Sequence, residues 1–461
     1  MAVGERVLTL AEVARSTGGE VRGDPKIPVR GISVHSAGVR PGALFVALRG
    51  PWRDGHDFVP EAAARGAGAA LVSRPVEVEI PLVLVPDTAQ ALLPLAGLWR
   101  SRFAVRAIGV TGSVGKTTTA QLIGAVLAST HPVHVSAPEW NAEMGVPLTL
   151  FGLDATHRFV VVELAMRGLG QIRELCLAVR PEIGVVTNVG HAHLELLGSV
   201  ENIARAKAEL VEALPAHGWA VLHADDPRVR AMNRRTRAQV VFYGIERGEV
   251  RAEDIEVDPR GVRFVLRTPQ GRIRTGIPLP GRHLVLNALA AAAVGWVCGV
   301  PLEAVGETLL RFRPPRMRLE VQRTARGILL VNDAYNASPE SLRAAFETVR
   351  ALRLGRRLVA VLGEMRELGP VREAAHREAG RWCVAEGVDL LVAVGEGGGL
   401  IAQGAREAGM PRERVVLVAD AEEAARHAAE RVEPGDLVLI KASRAVGLER
   451  VAEALGWSGS S

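Results

Sequence analysis

The residues best suited to chemistry lie in one glycine-rich stretch, from 109 to 119. Glycines let backbone N–H groups turn toward a phosphate, Lys116 can reach the β- and γ-phosphates, and the hydroxyl of Thr117 can bind Mg²⁺. The strict phosphate-loop pattern is broken because Val110 occupies the position of its first glycine. We therefore expect this loop to bind a nucleoside triphosphate, a chance glycine turn being the alternative. The loop residues expected to contact the nucleotide are Gly112, Ser113, Val114, Gly115, Lys116, Thr117 and Thr118.

Buried strands are expected to hold this loop and a carboxylate at one edge of a sheet. An apolar run from 105 to 110 leads into the loop, and apolar residues at helical spacing follow it. A second β-branched run, from 159 to 164, contains Glu163 near its end. Ligands of open α/β sheets bind at the carboxyl ends of the strands, so Glu163 could hold Mg²⁺ opposite Thr117. The alternative is a helix cap or a surface acid.

A third strand, expected from 183 to 187, runs into a loop that contains Gly190, His191 and His193. Two histidines in a glycine-containing loop after a strand are poor candidates for core packing. We expect one of them to face the site as a ligand or an acid–base group.

Lysine is rare in this chain, because only four of the 56 basic residues are lysines. Arginine can replace lysine wherever a surface charge is enough, but it cannot supply a deprotonatable amine. Lys207, between two alanines on an amphipathic helix expected from 199 to 214, is therefore a second candidate for special chemistry besides Lys116. The alternative is an ordinary surface lysine.

The longest apolar stretch, from 284 to 300, contains Asn287 together with several alanines and glycines. This composition favours a buried helix over a membrane span. The Asn287 amide, near the helix start, could bind the edge of a nucleotide base, and helix capping is an equally ordinary role.

Composition excludes several classes of protein. The net charge is +5, but the basic residues are scattered among acids, so we expect no nucleic acid partner. The three cysteines are far apart and show neither disulfide nor zinc spacing. With no export signal in the first ten residues, these features predict a protein of the reducing cytoplasm.

The order of expected elements predicts an α/β protein of three domains. Residues 1–101 form a small α/β domain, 102–313 form a nucleotide domain with a mostly parallel sheet, and 314–461 alternate strands and helices as in a doubly wound sheet. The stretch Pro314-Pro315-Arg316-Met317-Arg318 is expected to link the last two.

Several motifs together resemble those of the Mur ligases, cytoplasmic ATP-dependent amide-bond synthetases of peptidoglycan assembly. The resemblance extends over nearly the whole chain. The motifs are T-G-S-V-G-K-T at 111–117, the strand that ends in Glu163, N-V-G-H-A-H-L-E at 188–195, A-K-A-E at 206–209, H-x-x-x-N at 283–287 and M-R-L-E at 317–320.

The resemblance implies a UDP-sugar-binding N-terminal domain, a central ATP-binding domain and a Rossmann-like C-terminal domain that closes over the site. Within the family, the stretches 41–58, 333–339 and 362–369 favour the branch that adds D-alanyl-D-alanine to UDP-N-acetylmuramoyl-tripeptide through an acyl phosphate. ATP and Mg²⁺ are then the expected cofactors, and a monomer is the expected form.

The same resemblance implies roles for individual residues. One Mg²⁺ would use Thr117 and Glu163, and a second would use His193 and a carbamylated Lys207. Lys116, Lys207 and His193 are the expected catalytic residues. Asn287 would contact adenine, Arg318 a phosphate and Asp333 the ribose. The residues expected to contact the substrates are Ser36, Phe45, Asn141, Tyr335 and Asn336.

The chain departs from the family pattern in three places. The usual D-S-R reads His35-Ser36-Ala37, the usual N-N-E reads Asn141-Ala142-Glu143, and the usual D-D before the tyrosine reads Asn332-Asp333. The competing classes are a phosphate-loop motor or regulator, a folate polyglutamate synthase, and a Mur ligase that adds a different amino acid.

Overall fold

The computed structural model describes residues 7–314 and 317–458, and the strands of these residues form four sheets. Pro315 and Arg316 of the expected linker lie outside the described residues. The α/β class expected from the sequence is confirmed, since most strands pair in parallel and alternate with helices. No helix of the described residues is both long enough and apolar enough to cross a membrane.

The N-terminal part contains a five-stranded sheet in the order β2-β7-β6-β5-β4, in which only β2 runs antiparallel, and a separate β1-β3 pair. Helix α1 begins one residue after Thr9, whose side chain forms a capping box with Glu12. Leu8 itself belongs to strand β1. The elements are β1 (Leu8–Thr9), α1 (Leu10–Thr17), β2 (Glu20–Arg22), β3 (Pro28–Val29), β4 (Ile32–Ser33), β5 (Leu44–Val46), α2 (Val59–Ala64), β6 (Ala69–Val72), β7 (Leu82–Leu84) and α3 (Thr88–Arg100).

Helix α3 ends in a buried arginine that joins the N-terminal part to the central sheet. Arg100 donates hydrogen bonds to the backbone oxygens of Val179 at 3.0 Å, Val105 at 2.8 Å and Phe103 at 3.3 Å. A buried guanidinium is tolerated here because three carbonyl groups accept hydrogen bonds from it.

The central part is a nine-stranded sheet in the order β16-β15-β14-β13-β12-β11-β8-β10-β9. Strand β8 lies between β10 and β11, both parallel to it, so the loops that follow these three strands meet at one edge. Apolar side chains cover both faces of the sheet. The elements are β8 (Arg106–Thr111), α4 (Lys116–Ala128), β9 (Val133–Val135), α5 (Gly145–Phe151), β10 (Phe159–Glu163), α6 (Gln171–Val179), β11 (Ile183–Val186), α7 (Leu194–Leu197), α8 (Val200–Glu212), β12 (Trp219–His223), α9 (Pro227–Arg230), β13 (Gln239–Gly244), β14 (Val250–Asp258), β15 (Gly261–Thr268), β16 (Gly271–Ile277), α10 (His283–Val297) and α11 (Leu302–Arg311).

The C-terminal part is a six-stranded sheet in the order β17-β18-β22-β19-β20-β21, covered on both faces, as a doubly wound sheet requires. Strand β22 pairs in parallel with β18 and β19, which brings their carboxyl ends together. The antiparallel edge strand β17 was not expected from the sequence. The elements are β17 (Glu320–Arg323), β18 (Leu329–Asn332), α12 (Pro339–Arg353), β19 (Leu358–Leu362), α13 (Arg372–Ala385), β20 (Leu390–Val394), α14 (Gly395–Glu407), β21 (Val415–Val418), α15 (Ala421–Arg431), β22 (Leu437–Lys441) and α16 (Glu449–Ala454).

Candidate active site

A cavity of about 630 Å³ separates the carboxyl edges of the central and C-terminal sheets, and both sheets line it. The central sheet contributes the loops after β8, β10 and β11, and the C-terminal sheet contributes those after β18, β19 and β22. Two edges that face each other can bind the two ends of one ligand or two separate substrates.

The glycine-rich loop has the geometry of a phosphate cradle. Gly112 and Gly115 have positive φ angles of 153° and 83°, and α4 begins at Lys116 directly after them. The loop is anchored by a residue that is not among the expected site residues. Asn188 accepts from Val114 N and donates to Val114 O, both at 2.9 Å. Its position in the N-V-G-H motif was the feature of the sequence that could have identified Asn188.

Lys116 folds back onto the loop, where its Nζ donates to the backbone oxygen of Gly112 at 2.9 Å. Burial lowers the pKa of Lys116, the nearby Glu163 carboxylate opposes this shift, and Arg318 reinforces it. The ammonium is thus held at the mouth of the loop beside a carboxylate and a guanidinium.

Glu163 is fully buried at the end of β10 and is held by two neighbours. Thr117 Oγ1 donates to one of its oxygens at 2.8 Å, and Asn141 Nδ2 donates to the other at 2.9 Å. Arg318 donates to Thr117 Oγ1 at 2.9 Å and lies 3.9 Å from the centre of the Tyr335 ring. The structure brings Thr117 and Glu163 together as expected, and it places Asn141 on the carboxylate.

Lys207 is buried on α8, with 2 % of its surface exposed, so the alternative of a surface lysine is wrong. Its ammonium has no hydrogen-bond or carboxylate partner among the residues that the structure describes. Burial lowers its pKa well below the ordinary value, and the charge of Lys116 lowers it further. A buried amine without a counter-ion favours the neutral form. Lys207 does not line the cavity itself.

His193 lies on the cavity wall in a left-handed conformation, with φ at 67°, immediately before α7. Its Nδ1 donates to the carboxylate of Glu367 in the loop after β19. This hydrogen bond lowers the pKa of Glu367. His191 is half exposed, and its Nδ1 contacts Glu340 of α12 at 2.7 Å.

The C-terminal edge is built around a buried ion pair. Lys441 Nζ contacts Asp333, and it also donates to the backbone oxygen of Asn336 at 2.8 Å. Burial lowers the pKa of Lys441, and Asp333 opposes that shift. The other oxygen of Asp333 accepts from Leu319 N at 3.0 Å, so both oxygens of the expected ribose ligand already have protein partners.

Asn287 lines the cavity beside the phosphate loop, in the second turn of α10. It does not cap the helix, which begins after Arg282. Its Oδ1 accepts from Thr119 Oγ1 at 3.4 Å, and a Cβ on Gly115 would lie 2.9 Å from it. The glycine therefore lets the loop pack against the amide.

Two of the expected substrate contacts do not reach this cavity. The ring of Phe45 is 1 % exposed inside the N-terminal core, so it presents no surface to a ligand. Side chains along a strand point alternately to its two faces, and Phe45 lies on the face of β5 that α2 covers. Ser36 is partly exposed and donates to Glu61 at 3.1 Å. Tyr335 and Asn336 do line the cavity.

The described residues contain no group of three or more His, Cys, Asp or Glu side chains placed to bind a metal ion by themselves. Mg²⁺ is usually held by one or two protein carboxylates together with water and substrate phosphates. The hydroxyl of Thr117 and the carboxylate of Glu163, at the foot of a phosphate loop, fit that pattern.

Known proteins match this chain over nearly its whole length. Three family models match, described as the Mur ligase middle domain over residues 110–295, the Mur ligase glutamate ligase domain over 317–444 and the Mur ligase family catalytic domain over 28–97. The UDP-N-acetylmuramoyl-tripeptide–D-alanyl-D-alanine ligase of Mycobacterium tuberculosis is 38 % identical, with 97 % of each chain covered. The chain belongs to the Mur ligase family.

Solved structures agree with this assignment. MurF from Acinetobacter baumannii is similar to this Mur ligase with a TM-score of 0.86 and 31 % identity, over 97 % of this chain and 98 % of that one. MurF ligase from Thermotoga maritima, solved in complex with ADP, gives a TM-score of 0.80 and 30 % identity, over 93 % and 97 % of the two chains.

Proposed function

We propose that this Mur ligase joins D-alanyl-D-alanine to UDP-N-acetylmuramoyl-tripeptide in a reaction driven by the cleavage of ATP to ADP and phosphate. The similarity to ligases of that name over nearly the full length of both chains carries the proposal. A buried phosphate loop that faces a second α/β sheet across one cavity supports it. The complex of the Thermotoga relative with ADP supports the choice of nucleotide.

The chemistry needs a carboxylate, a phosphoryl group and an amine in one place. An oxygen of the tripeptide's terminal carboxylate attacks the γ-phosphorus, ADP leaves, and an acyl phosphate forms. The dipeptide amine then attacks the acyl carbon, the tetrahedral intermediate expels phosphate, and the amine loses a proton. Both reactants are anionic, so positioning and neutralisation of charge provide most of the catalysis.

Residues of this chain supply that positive charge. Lys116 and the N–H groups of its loop are placed to bind the β- and γ-phosphates. Arg318 reaches Thr117 from the other side of the cavity, where it can contact the transferring phosphoryl group. Asn287 and Asp333 are the proposed contacts for the base and the ribose.

We also propose two metal positions. Thr117 and Glu163 would hold one Mg²⁺, which would polarise the γ-phosphate and neutralise the charge that develops on it. His193 and a carbamylated Lys207 would hold the second. Carbamylation joins a neutral amine to CO₂, and the buried, unpaired Lys207 is suited to it because its pKa is lowered.

The N-terminal, central and C-terminal parts of the chain suggest a division of the binding functions. We propose that residues 1–101 bind the UDP-sugar, 102–313 bind ATP, and 314–461 close over the site and supply acceptor contacts. Tyr335 and Asn336 are the proposed acceptor contacts, because both line the cavity on the C-terminal side. Cytoplasmic location and a monomeric state belong to the same proposal.

Phosphate release tests this function. The purified protein should release phosphate from ATP only when UDP-N-acetylmuramoyl-tripeptide and D-alanyl-D-alanine are both present. The Lys207→Ala variant should lose this activity and regain part of it with added short carboxylates, which can replace the carbamate. A Lys26→Ala variant, which changes an exposed lysine, is the matched control and should behave as the parent.

Three outcomes would contradict the proposal. Turnover driven by a single amino acid in place of the dipeptide would indicate another Mur ligase. Turnover with a folate and glutamate would indicate a folate polyglutamate synthase. Hydrolysis of ATP without any acceptor would indicate a motor or a regulator.

A further inference from the structure

One loop of the central part is held from the opposite side of the cavity by two carboxylates. His191 and His193 belong to the loop after β11, whereas Glu340 and Glu367 belong to the C-terminal part. Each histidine bonds one of the two carboxylates through its Nδ1. The pairs are 149 and 174 residues apart in sequence, so they exist only when the two parts are docked.

The Glu367 contact is reinforced by the backbone around it. Glu195 N donates to the backbone oxygen of Glu367 at 3.2 Å. Gly369 packs so closely that an added Cβ would lie 2.8 Å from the Cα of Glu195. The segment 367–369 thus fits against the segment 193–195 through side-chain and backbone contacts at once.

The hydrogen bond also fixes which nitrogen of His193 is free. A neutral imidazole whose Nδ1–H donates to a carboxylate keeps its lone pair on Nε2. No hydrogen-bond partner of this Nε2 is found among the described residues, and the ring lies on the cavity wall. A histidine that binds a metal usually donates its other N–H to a carboxylate or carbonyl group, and this partner strengthens it as a ligand.

We propose that Glu367 is a positioning residue that the C-terminal part brings to His193, so that docking of this part turns the histidine into an oriented metal ligand. Glu340 anchors the same loop through His191 but does not touch His193. The inference rests on the proposed function only for the identity of the metal site. Orientation of His193 toward the metal then depends on its contact with Glu367.

Mn²⁺ binding, followed by electron paramagnetic resonance with a non-hydrolysable ATP analogue and UDP-N-acetylmuramoyl-tripeptide present, tests the proposal without turnover. Glu367→Ala should weaken the affinity for Mn²⁺ by about tenfold or more. Glu367→Gln, whose amide oxygen can still accept from Nδ1–H, should stay within about threefold of the parent.

Glu340→Ala is the matched control, because it removes a contact between the same loop and the same part of the chain. If Glu367 merely helps docking, the two alanine variants will weaken Mn²⁺ binding equally, and the proposal is overturned. An affinity in Glu367→Ala equal to that of the parent would overturn it as well.

Nuclear magnetic resonance of ¹⁵N-histidine protein provides a second readout that needs no Glu367 variant. With the ATP analogue and UDP-N-acetylmuramoyl-tripeptide bound, His193 should carry its proton on Nδ1. The signals of His193 are assigned by their loss in the His193→Gln variant. A proton on Nε2 would refute the inference even if Glu367→Ala failed to fold. Neither measurement depends on the acceptor, so failure of the dipeptide assay and failure of this inference are distinguishable.

Discussion

The glycine-rich loop can be tested at Gly112, where an added methyl group has no room. A Cβ at this position would lie 1.8 Å from Thr187 Oγ1 and 3.0 Å from Thr187 Cβ, and φ is 153°. Overpacking a rigid site typically costs 1–3 kcal/mol, and the unfavourable backbone conformation adds about 1 kcal/mol. Gly112→Ala should therefore lower the free energy of unfolding by about 3 kcal/mol and weaken ADP binding at least about tenfold.

Gly170→Ala is a matched control because Gly170 also has a positive φ, 89°, but nothing lies within 4 Å of an added Cβ. It should cost about 1 kcal/mol and leave ADP binding unchanged. Urea unfolding and calorimetric titration with ADP measure the two effects.

A double-mutant cycle identifies the cause. Thr187→Ala removes the hydroxyl that an added Cβ would meet, and by itself it should cost about 1 kcal/mol because Thr187 donates to Val114 O at 2.7 Å. The double variant with Gly112→Ala should be at least about 1 kcal/mol more stable than the sum of the single effects predicts. Strictly additive effects of Gly112→Ala and Thr187→Ala on the free energy of unfolding would refute a clash between the added Cβ and Thr187. A Gly112→Ala variant no less stable than Gly170→Ala would refute it as well.

Three further predictions concern other parts of the structure. Arg100→Met should lower the free energy of unfolding by about 3–5 kcal/mol, measured in urea, because three buried carbonyl groups lose their donor; a loss below 1 kcal/mol would contradict this. Hydrogen bonds from the backbone and ring of His56 lower the pKa of Asp54 to about 2. The ionised carboxylate should therefore add about 1 kcal/mol to the free energy of unfolding, after allowance for solvent. This contribution should be complete above pH 4 and disappear as the pH falls toward 2. Asp54→Asn should remove that pH dependence of the free energy of unfolding, measured in urea. An unchanged dependence on pH would contradict this prediction. Glu163→Gln should reduce ligase turnover by about 100-fold, because it removes the negative charge of the proposed metal ligand. Asn141→Ala removes a hydrogen bond to this carboxylate but keeps its charge, so it should reduce turnover less. Equal losses in the two variants would contradict a role for the charge of Glu163.

Features encoded in neighbouring residues were predictable from the sequence. The phosphate loop needs only a buried strand, glycines with positive φ and a helix that begins at Lys116, all within 25 residues. Glu163 was predictable because a β-branched run determines where its strand ends. Lys207 was identified by its rarity, and its burial agrees with that interpretation.

Features that depend on distant segments were not predictable in the same way. The partners of His193 and His191 come from loops and helices that only the packing of two sheets brings near. Phe45 was assigned to the substrate because its motif resembles one of the family. Its burial is decided by α2, which packs on that face of β5, and a local motif does not show such packing.

The most direct test of the central claim follows one oxygen atom. UDP-N-acetylmuramoyl-tripeptide labelled with ¹⁸O in its terminal carboxylate would be incubated with ATP, Mg²⁺ and D-alanyl-D-alanine, and the released phosphate would be analysed by mass spectrometry. Because the carboxylate oxygen that attacks the γ-phosphorus stays on phosphorus when the amine displaces phosphate, each phosphate should carry one oxygen from the labelled carboxylate. Release of unlabelled phosphate together with the amide product would contradict an acyl phosphate, and release without the amide product would contradict the ligase itself.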